Sequence, residues 1–303
     1  MPRDGGFDET VPEPVEGFGS RLGRAFDEFG QLCVGIDPHP YLLERWGLRD
    51  SAGGAREFGL RVLDAAAGSV GIVKPQVAFF ERFGSAGFGA LEAVLGSARA
   101  AGLLVIADAK RGDLGTTVEA YGQTWLSPGS PLEADAMTIH AYMGVGSIEA
   151  PMALAERHGK GLFVLAATSN PEGIGVQTAR VSVGSHVGRT VASSIVSEVG
   201  NWNASQELSP SRSMGAIGLV LGATVDFEKF GIDLSAVAAT PASPVLAPGF
   251  GHQGARFGDL HALYGPAAPF TVVSASRSIL EAGPDGVAEA IRQQAAEVLS
   301  CRG

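Results

Sequence analysis

A chain of 303 residues with 45% hydrophobic and 18% charged side chains can bury a large core, which excludes an intrinsically disordered protein. Its 22 basic and 32 acidic residues leave a net charge of −10 with no cluster of lysine and arginine, which disfavours a role resting on nucleic-acid phosphates or an anionic membrane. Cys33 and Cys301 are the only cysteines and stand far apart, so neither a disulfide framework nor a paired-cysteine zinc site can be built.

Residues 1–16 mix glycine, proline and acidic side chains without periodicity and read as a flexible arm. Asp4, Asp8 and Glu9 stand where a signal peptide would need a positive flank, and no later stretch reaches about 18 unbroken apolar residues, so a soluble cytoplasmic protein is expected. Beyond the arm, short apolar or β-branched runs recur near 31–36, 70–74, 103–107, 134–139, 161–166, 216–221, 243–247 and 270–275. The segments between them are long enough for helices, with clear 3.6-residue periodicity at 54–67 and 285–300. Eight strand-helix units in one chain predict an α/β fold, a (β/α)8 TIM barrel forming a single catalytic domain over 17–303. A doubly wound open sheet is the alternative. The longest connection, 174–213, is expected to hold a helix over 181–200 followed by a polar stretch, serving either as a lid or as a lengthened barrel helix.

In a barrel, catalytic groups belong where strands end and loops begin at the carboxyl face. Asp37 follows the first run, Lys74 closes the second, Asp108 and Lys110 close the third, Ser169 and Asn170 follow the fifth, and Arg277 follows the eighth. The stretch Ala107-Asp108-Ala109-Lys110-Arg111-Gly112-Asp113 sets two acids around a lysine. On an extended segment Asp108 and Lys110 point to the same side, into the barrel mouth, while Asp113 comes after a turn allowed by Gly112. Acid, base and acid sharing one concave site would hold the lysine as a positioned ammonium able to donate a proton. Any one of these residues alone fits a structural ion pair at the rim. Several together are hard to explain without a ligand, because each charge is costly to desolvate unless paired.

The second feature is Pro248-Gly249-Phe250-Gly251-His252-Gln253-Gly254 after the seventh run, followed by Ser274-Ala275-Ser276-Arg277. Glycines let backbone N–H groups approach a phosphate, and barrels commonly bind phosphate at the loops after strands 7 and 8, so Gly249, Gly251, Gly254 and the forked donor Arg277 predict a phosphate site. His252 is expected to face solvent. Phe79, Phe80 and Phe83 read as core rather than as a stacking platform, Trp46, Trp125 and Trp202 carry no functional signal, and His140 either lines the site or is structural.

Together Gly35-Ile36-Asp37-Pro38, Ile72-Val73-Lys74-Pro75, Asp-x-Lys-x-x-Asp at 108–113, Thr168-Ser169-Asn170-Pro171 and the Pro-Gly-x-Gly-x-Gln-Gly loop resemble the orotidine 5′-phosphate decarboxylase family, in its longer bacterial form, from about residue 17 to 300. The resemblance implies conversion of orotidine 5′-monophosphate to UMP and CO2, the last step of de novo pyrimidine synthesis, with no metal or organic cofactor. It implies that Lys110 stabilises and protonates the carbanion at C6 and that Asp108 lies beside the substrate carboxylate. Asp37 and Lys74 would contact ribose hydroxyls, Ser169 within the Ser169-Asn170 pair would read the pyrimidine amide edge, and Gln253 and Arg277 would hold the phosphate. Asp113 would reach into the partner subunit's site with Thr117 nearby, making the active form a homodimer. Three rivals share parts of this pattern. One is a Mg²⁺-dependent sugar-phosphate enzyme using Glu81 or Asp135, the second a Schiff-base aldolase using Lys74 or Lys110, and the third a barrel that binds nucleotides without turnover.

Overall fold

The computed structural model describes residues 15–206, 213–252 and 254–301, so most of the expected arm and Gln253 lie outside the described residues. Eight parallel strands close into a barrel in sequence order: β1 (Leu32–Ile36), β2 (Ile72–Pro75), β3 (Leu104–Arg111), β4 (Ala136–His140), β5 (Gly161–Ala167), β6 (Ile217–Leu221), β7 (Val245–Pro248) and β8 (Thr271–Ala275). Closure is made by β8 against β1, where Cys33 pairs with Ser274 and Val34 with Ala275. The strands are buried along nearly their whole length. One side of each fills the barrel interior and the other lies under helices, which is why the runs are continuously apolar rather than alternating.

The helices predicted from periodicity are Ala52–Ala66, whose cap Ser51 accepts from the Gly54 N–H, and Gly283–Ser300. The helix expected over 181–200 is corrected: it runs from Val191 to Ser205. Thr190 caps it, its hydroxyl accepting the Ser193 N–H at 3.0 Å. Upstream, Gly184 and Gly188 take positive φ values of 84° and 85°, which breaks the helical path where the apolar spacing alone suggests it continues.

The amino-terminal end of the barrel is closed by helix Phe18–Phe29, which buries Phe18, Leu22, Ala25 and Phe26 at helical spacing. Phe18 meets Phe163 of β5 edge-on at 5.9 Å. Around this plug lies a charged collar: Arg21 donates to Asp135 at 2.6 Å and to the Gly159 carbonyl at 2.8 Å, Lys160 donates to Glu133 at 2.7 Å, and Asp135 accepts the Val105 N–H at 2.9 Å. These pairs fasten the base of the barrel. Among the described residues, no helix is long and apolar enough to cross a membrane.

Candidate active site at the barrel mouth

Strands β7, β8, β1, β2 and β3 are consecutive neighbours around the barrel, and their carboxyl ends line a cavity of about 220 Å³. Asp37, Lys74, Gln76, Asp108, Lys110, Pro248, Gly249, Phe250, His252, Ser274, Ser276 and Arg277 form its wall. The strand-end charges that the sequence scatters over 240 residues thus meet in one place because the barrel is closed.

Asp108 is the hub. Its Oδ2 accepts from Lys74 Nζ at 2.9 Å, and its Oδ1 accepts from Lys110 Nζ at 2.5 Å and from the Thr138 hydroxyl at 2.8 Å. With its NH2 turned toward Asp108, the Gln76 amide donates to the Asp108 carbonyl at 2.7 Å and to Oδ2 at 3.1 Å. Lys74 and Asp108 side chains are each 9% exposed while Lys110 is 46% exposed, so of the two ammonium groups it is Lys110 that faces the opening. Burial alone would raise the Asp108 carboxyl, yet Lys74 and Lys110 outweigh it and hold the group well below the usual carboxylate range. Burial opposes the Lys74 ammonium, yet Asp108 and Asp37 outweigh that and the net shift is upward. Cys33 lies beneath this array, and burial pushes its thiol up to about 12, which makes it an inert packing residue.

The approach of Lys110 to Asp108 is not the simple strand alternation that the sequence suggests. Lys110 has φ 46°, the only non-glycine residue with positive φ among the described residues. A side-chain-bearing residue in that region costs on the order of 1–3 kcal/mol and persists only where its surroundings hold it. Gly112 follows because there is no room for more: a Cβ there would collide with the His140 ring, which ends β4 with its Nδ1 buried and without a partner among the described residues. His140 therefore packs against the loop that carries Lys110.

The rest of the mouth is poised for a polar ligand. Asp37 accepts from Ser276 through Oδ2 at 2.5 Å, while its Oδ1 is buried with no partner among the described residues, an acceptor waiting for a donor. Arg277 lines the cavity with no carboxylate partner among the described residues. In the glycine loop, the Gly251 N–H is taken by the Ala255 carbonyl at 2.8 Å and the Gly254 N–H by the Gly251 carbonyl at 3.1 Å, so those two glycines shape the turn, and Gly249 is the one that lines the cavity. His252 is exposed, as expected, and sits on the rim.

Besides Gly251 and Gly254, four expected site residues lie outside the cavity wall. Ser169 and Asn170 follow β5 on the rim, both exposed, with Asn170 bonded to Thr168 at 2.7 Å and Glu172 at 3.2 Å. Asp113 accepts its neighbour Leu114's N–H at 2.8 Å, and Thr117 is exposed on helix Gly115–Leu126. Nearby, Leu114, Tyr142 and Met143 leave large apolar surface exposed. Of the phenylalanines expected in the core, only Phe80 is fully buried; Phe83 packs partly buried against the core under the Arg82 guanidinium, and Phe79 meets the His39 ring at a tilt of 57° and 4.1 Å. The two carboxylates that a divalent-metal reading would need are engaged elsewhere, Glu81 with Arg111 at 2.8 Å and Asp135 at the opposite end of the barrel. Sequence reasoning missed Gln76, Thr138 and Ser276. Ser276 lies inside a motif already singled out and Gln76 stands two residues after Lys74, but Thr138 sits within an apolar run and reads as an ordinary strand residue.

Known proteins bear on this geometry. The orotidine 5′-phosphate decarboxylase / HUMPS family matches residues 30–293. The chain is 48% identical over 289 residues to the orotidine 5′-phosphate decarboxylase of Salinispora tropica, covering 95% of this chain and 98% of that one. It is 46% identical over 271 residues to that of Streptomyces coelicolor, covering 89% and 92%. Among solved structures, a Streptomyces avermitilis chain assigned as an orotidine 5′-phosphate decarboxylase superposes with a TM-score of 0.84 at 43% identity, covering 95% of this chain and 96% of that one. The Leishmania donovani OMP decarboxylase superposes with a TM-score of 0.72 at 27% identity, covering 94% and 99%. Since the family match begins two residues before β1 and extends past β8, it takes in every strand of the barrel and every charged group at its mouth, and the chain belongs to the orotidine 5′-phosphate decarboxylase / HUMPS family.

Proposed function

We propose that the Lys74–Asp108–Lys110 array decarboxylates orotidine 5′-phosphate to UMP and CO2, the closing step of de novo pyrimidine synthesis, with Lys110 as the proton donor. The observation that carries this reading is the position of Lys110: an ammonium bonded to a buried carboxylate, facing the mouth while its backbone is held in a left-handed conformation. The bond from C6 to the carboxylate carbon breaks and its electron pair stays on C6 in an sp² orbital that cannot spread into the ring. A cation fixed at that atom lowers the barrier because the charge it meets exists only late in the reaction. An N–H of Lys110 then transfers its proton to C6, giving UMP, and the neutral amine regains a proton from solvent.

Asp108 has a second effect. Held by Lys74, Lys110, Thr138 and Gln76, it cannot turn aside, so a substrate carboxylate placed next to it is repelled until CO2 leaves. Asp37 Oδ1 is offered to a ribose hydroxyl, with Lys74 on the same side. Arg277, with Gln253 and Gly249, takes the phosphate, and Gly251 and Gly254 shape that loop. Ser169 and Asn170, on the rim after β5, read the base. Binding energy from the remote phosphate organises the mouth and excludes water, which raises the rate and not only the affinity.

The partner-subunit roles of Asp113 and Thr117 belong to the same proposal: neither lines its own cavity, and exposed Leu114, Tyr142 and Met143 supply apolar surface for a second copy. A homodimer with shared sites, and a single barrel domain over 17–303 in a cytoplasmic enzyme, complete the reading. The test is spectrophotometric. Purified protein with EDTA present should bleach the absorbance of orotidine 5′-phosphate and release one CO2 per UMP formed; no CO2 loss, or loss only after a divalent metal is restored, would overturn it.

A further inference from the structure

The third strand does not simply end at Lys110. The β3–β4 register runs Ile106 to Ala136 and Ala107 to Met137, and then resumes with Arg111 opposite Ile139. Four steps along β3 are therefore matched by two along β4, and the excess is a bulge holding Asp108, Ala109 and Lys110. The β4 residue facing that bulge is Thr138, which is 1% exposed. Its hydroxyl oxygen accepts the Lys110 backbone N–H at 2.9 Å and its proton is donated to Asp108 Oδ1 at 2.8 Å.

We infer that Thr138 is a positioning residue for the decarboxylation: one hydroxyl pins the Lys110 backbone and the Asp108 carboxylate together, and so fixes where the Lys110 ammonium stands. This rests on the function proposed above. The directions of the two bonds leave no choice. A hydroxyl has one proton, and the oxygen that receives an amide N–H keeps that proton free for another acceptor. The nearest acceptor is the carboxylate oxygen that also receives Lys110 Nζ at 2.5 Å. The backbone and the side chain of Lys110 are thereby tied to the same two atoms, Thr138 Oγ1 and Asp108 Oδ1. Without the hydroxyl the amide of a residue in a strained conformation is left unpaired, and Asp108 Oδ1 loses the one donor that ties it to β4, keeping only the mobile Lys110 ammonium. A misplacement of about 1 Å at a reacting atom is enough to cost on the order of 100-fold in rate.

A threonine that merely fills space would behave differently. Thr138→Val keeps shape and volume and removes the hydroxyl; Thr138→Ser keeps the hydroxyl and removes the methyl. Thr138→Val should lower kcat for orotidine 5′-phosphate by about 10- to 100-fold, with KM and the Kd for UMP within about threefold, since the lost bond orders the reacting groups. Thr138→Ser should return kcat to within about threefold of wild type. Thr138→Cys, also lacking a strong donor, should resemble the valine variant.

The inference is overturned if Thr138→Val keeps kcat within about threefold of wild type, if Thr138→Ser falls as far as Thr138→Val, or if KM and UMP affinity weaken in parallel with the rate. It is also overturned if neither hydroxyl-free variant folds while Thr138→Ser does, because the bond then serves the fold. Wild type measured alongside separates this from the underlying reading: absence of decarboxylation by wild type refutes the proposed function, whereas an active wild type with an equally active valine variant refutes only the role of Thr138.

Discussion

Asp108 shows how a single residue can be expensive and useful at once. Its carboxylate is buried, which by itself disfavours charge, and only the two lysines and the surrounding donors make the ionised form the stable one. Because its pKa falls on folding below the unfolded value of about 3.9, the stability it contributes is present above that pH and is lost as pH falls through the depressed folded value. For Lys74, shifted upward, the contribution is present below about 10.4 and is lost as pH rises through the folded value. Asp108→Asn leaves Lys74 buried without its counter-charge and should destabilise the protein by about 3–5 kcal/mol near neutrality. Urea denaturation across pH checks this: the gap between wild type and Asp108→Asn should be flat near pH 7 and narrow below about pH 4, where the Asp108 carboxyl of the unfolded chain begins to take up a proton while the folded one stays ionised. A gap that stays constant down to the acid limit would contradict the charge assignment.

At the level of elements, the strands were legible and the irregularities were not. Burial on both faces forces continuous apolar runs, and all eight runs fall on strands, seven of them to within about two residues at both ends, while β3 runs on four residues past its apolar run to Arg111. Helix Val191–Ser205 was misplaced because periodicity records apolar spacing and is blind to Gly184, Gly188 and the cap at Thr190. The bulge in β3 is hidden for a related reason. Ala107 to Arg111 reads as strand end and loop, and nothing in that string says that Lys110 adopts a positive φ or that Thr138 on the next strand faces it. The strand-end charges could be named from sequence because only barrel geometry was needed to gather them. Thr138 could not, because its role depends on a side-chain bond across strands, whereas the position of Gln76 two residues after Lys74 was the one signal for it. Asp113 stands out in the sequence as the second acid of one concave site, yet within one chain it touches no member of the charged array; its partner-subunit role, and Thr117 altogether, are legible only through family resemblance.

The whole molecule separates its tasks along the barrel axis. The charged collar of Arg21, Asp135, Glu133 and Lys160 and the plug around Phe18 hold the base, while among the described residues the mouth keeps Asp37 Oδ1 without a partner and the Arg277 guanidinium without a carboxylate. If the sites are shared across a homodimer, two inactive variants should complement. Chains with Lys110→Ala and chains with Asp113→Ala, mixed and allowed to exchange, form hybrids in which one site keeps both residues, so activity should recover to about a quarter of wild type for random pairing. Mixed dimers shown to form without activity would count against a shared site.

In the proposed reaction one positioned ammonium meets the charge developing at C6. Removing it while leaving the binding groups intact separates catalysis from affinity, so the decisive measurement is kcat for orotidine 5′-phosphate together with the Kd for UMP in Lys110→Ala. If Lys110 is that ammonium, kcat should fall by about 10⁴-fold or more with UMP binding still readily measured. Turnover within about tenfold of wild type in that variant would contradict it.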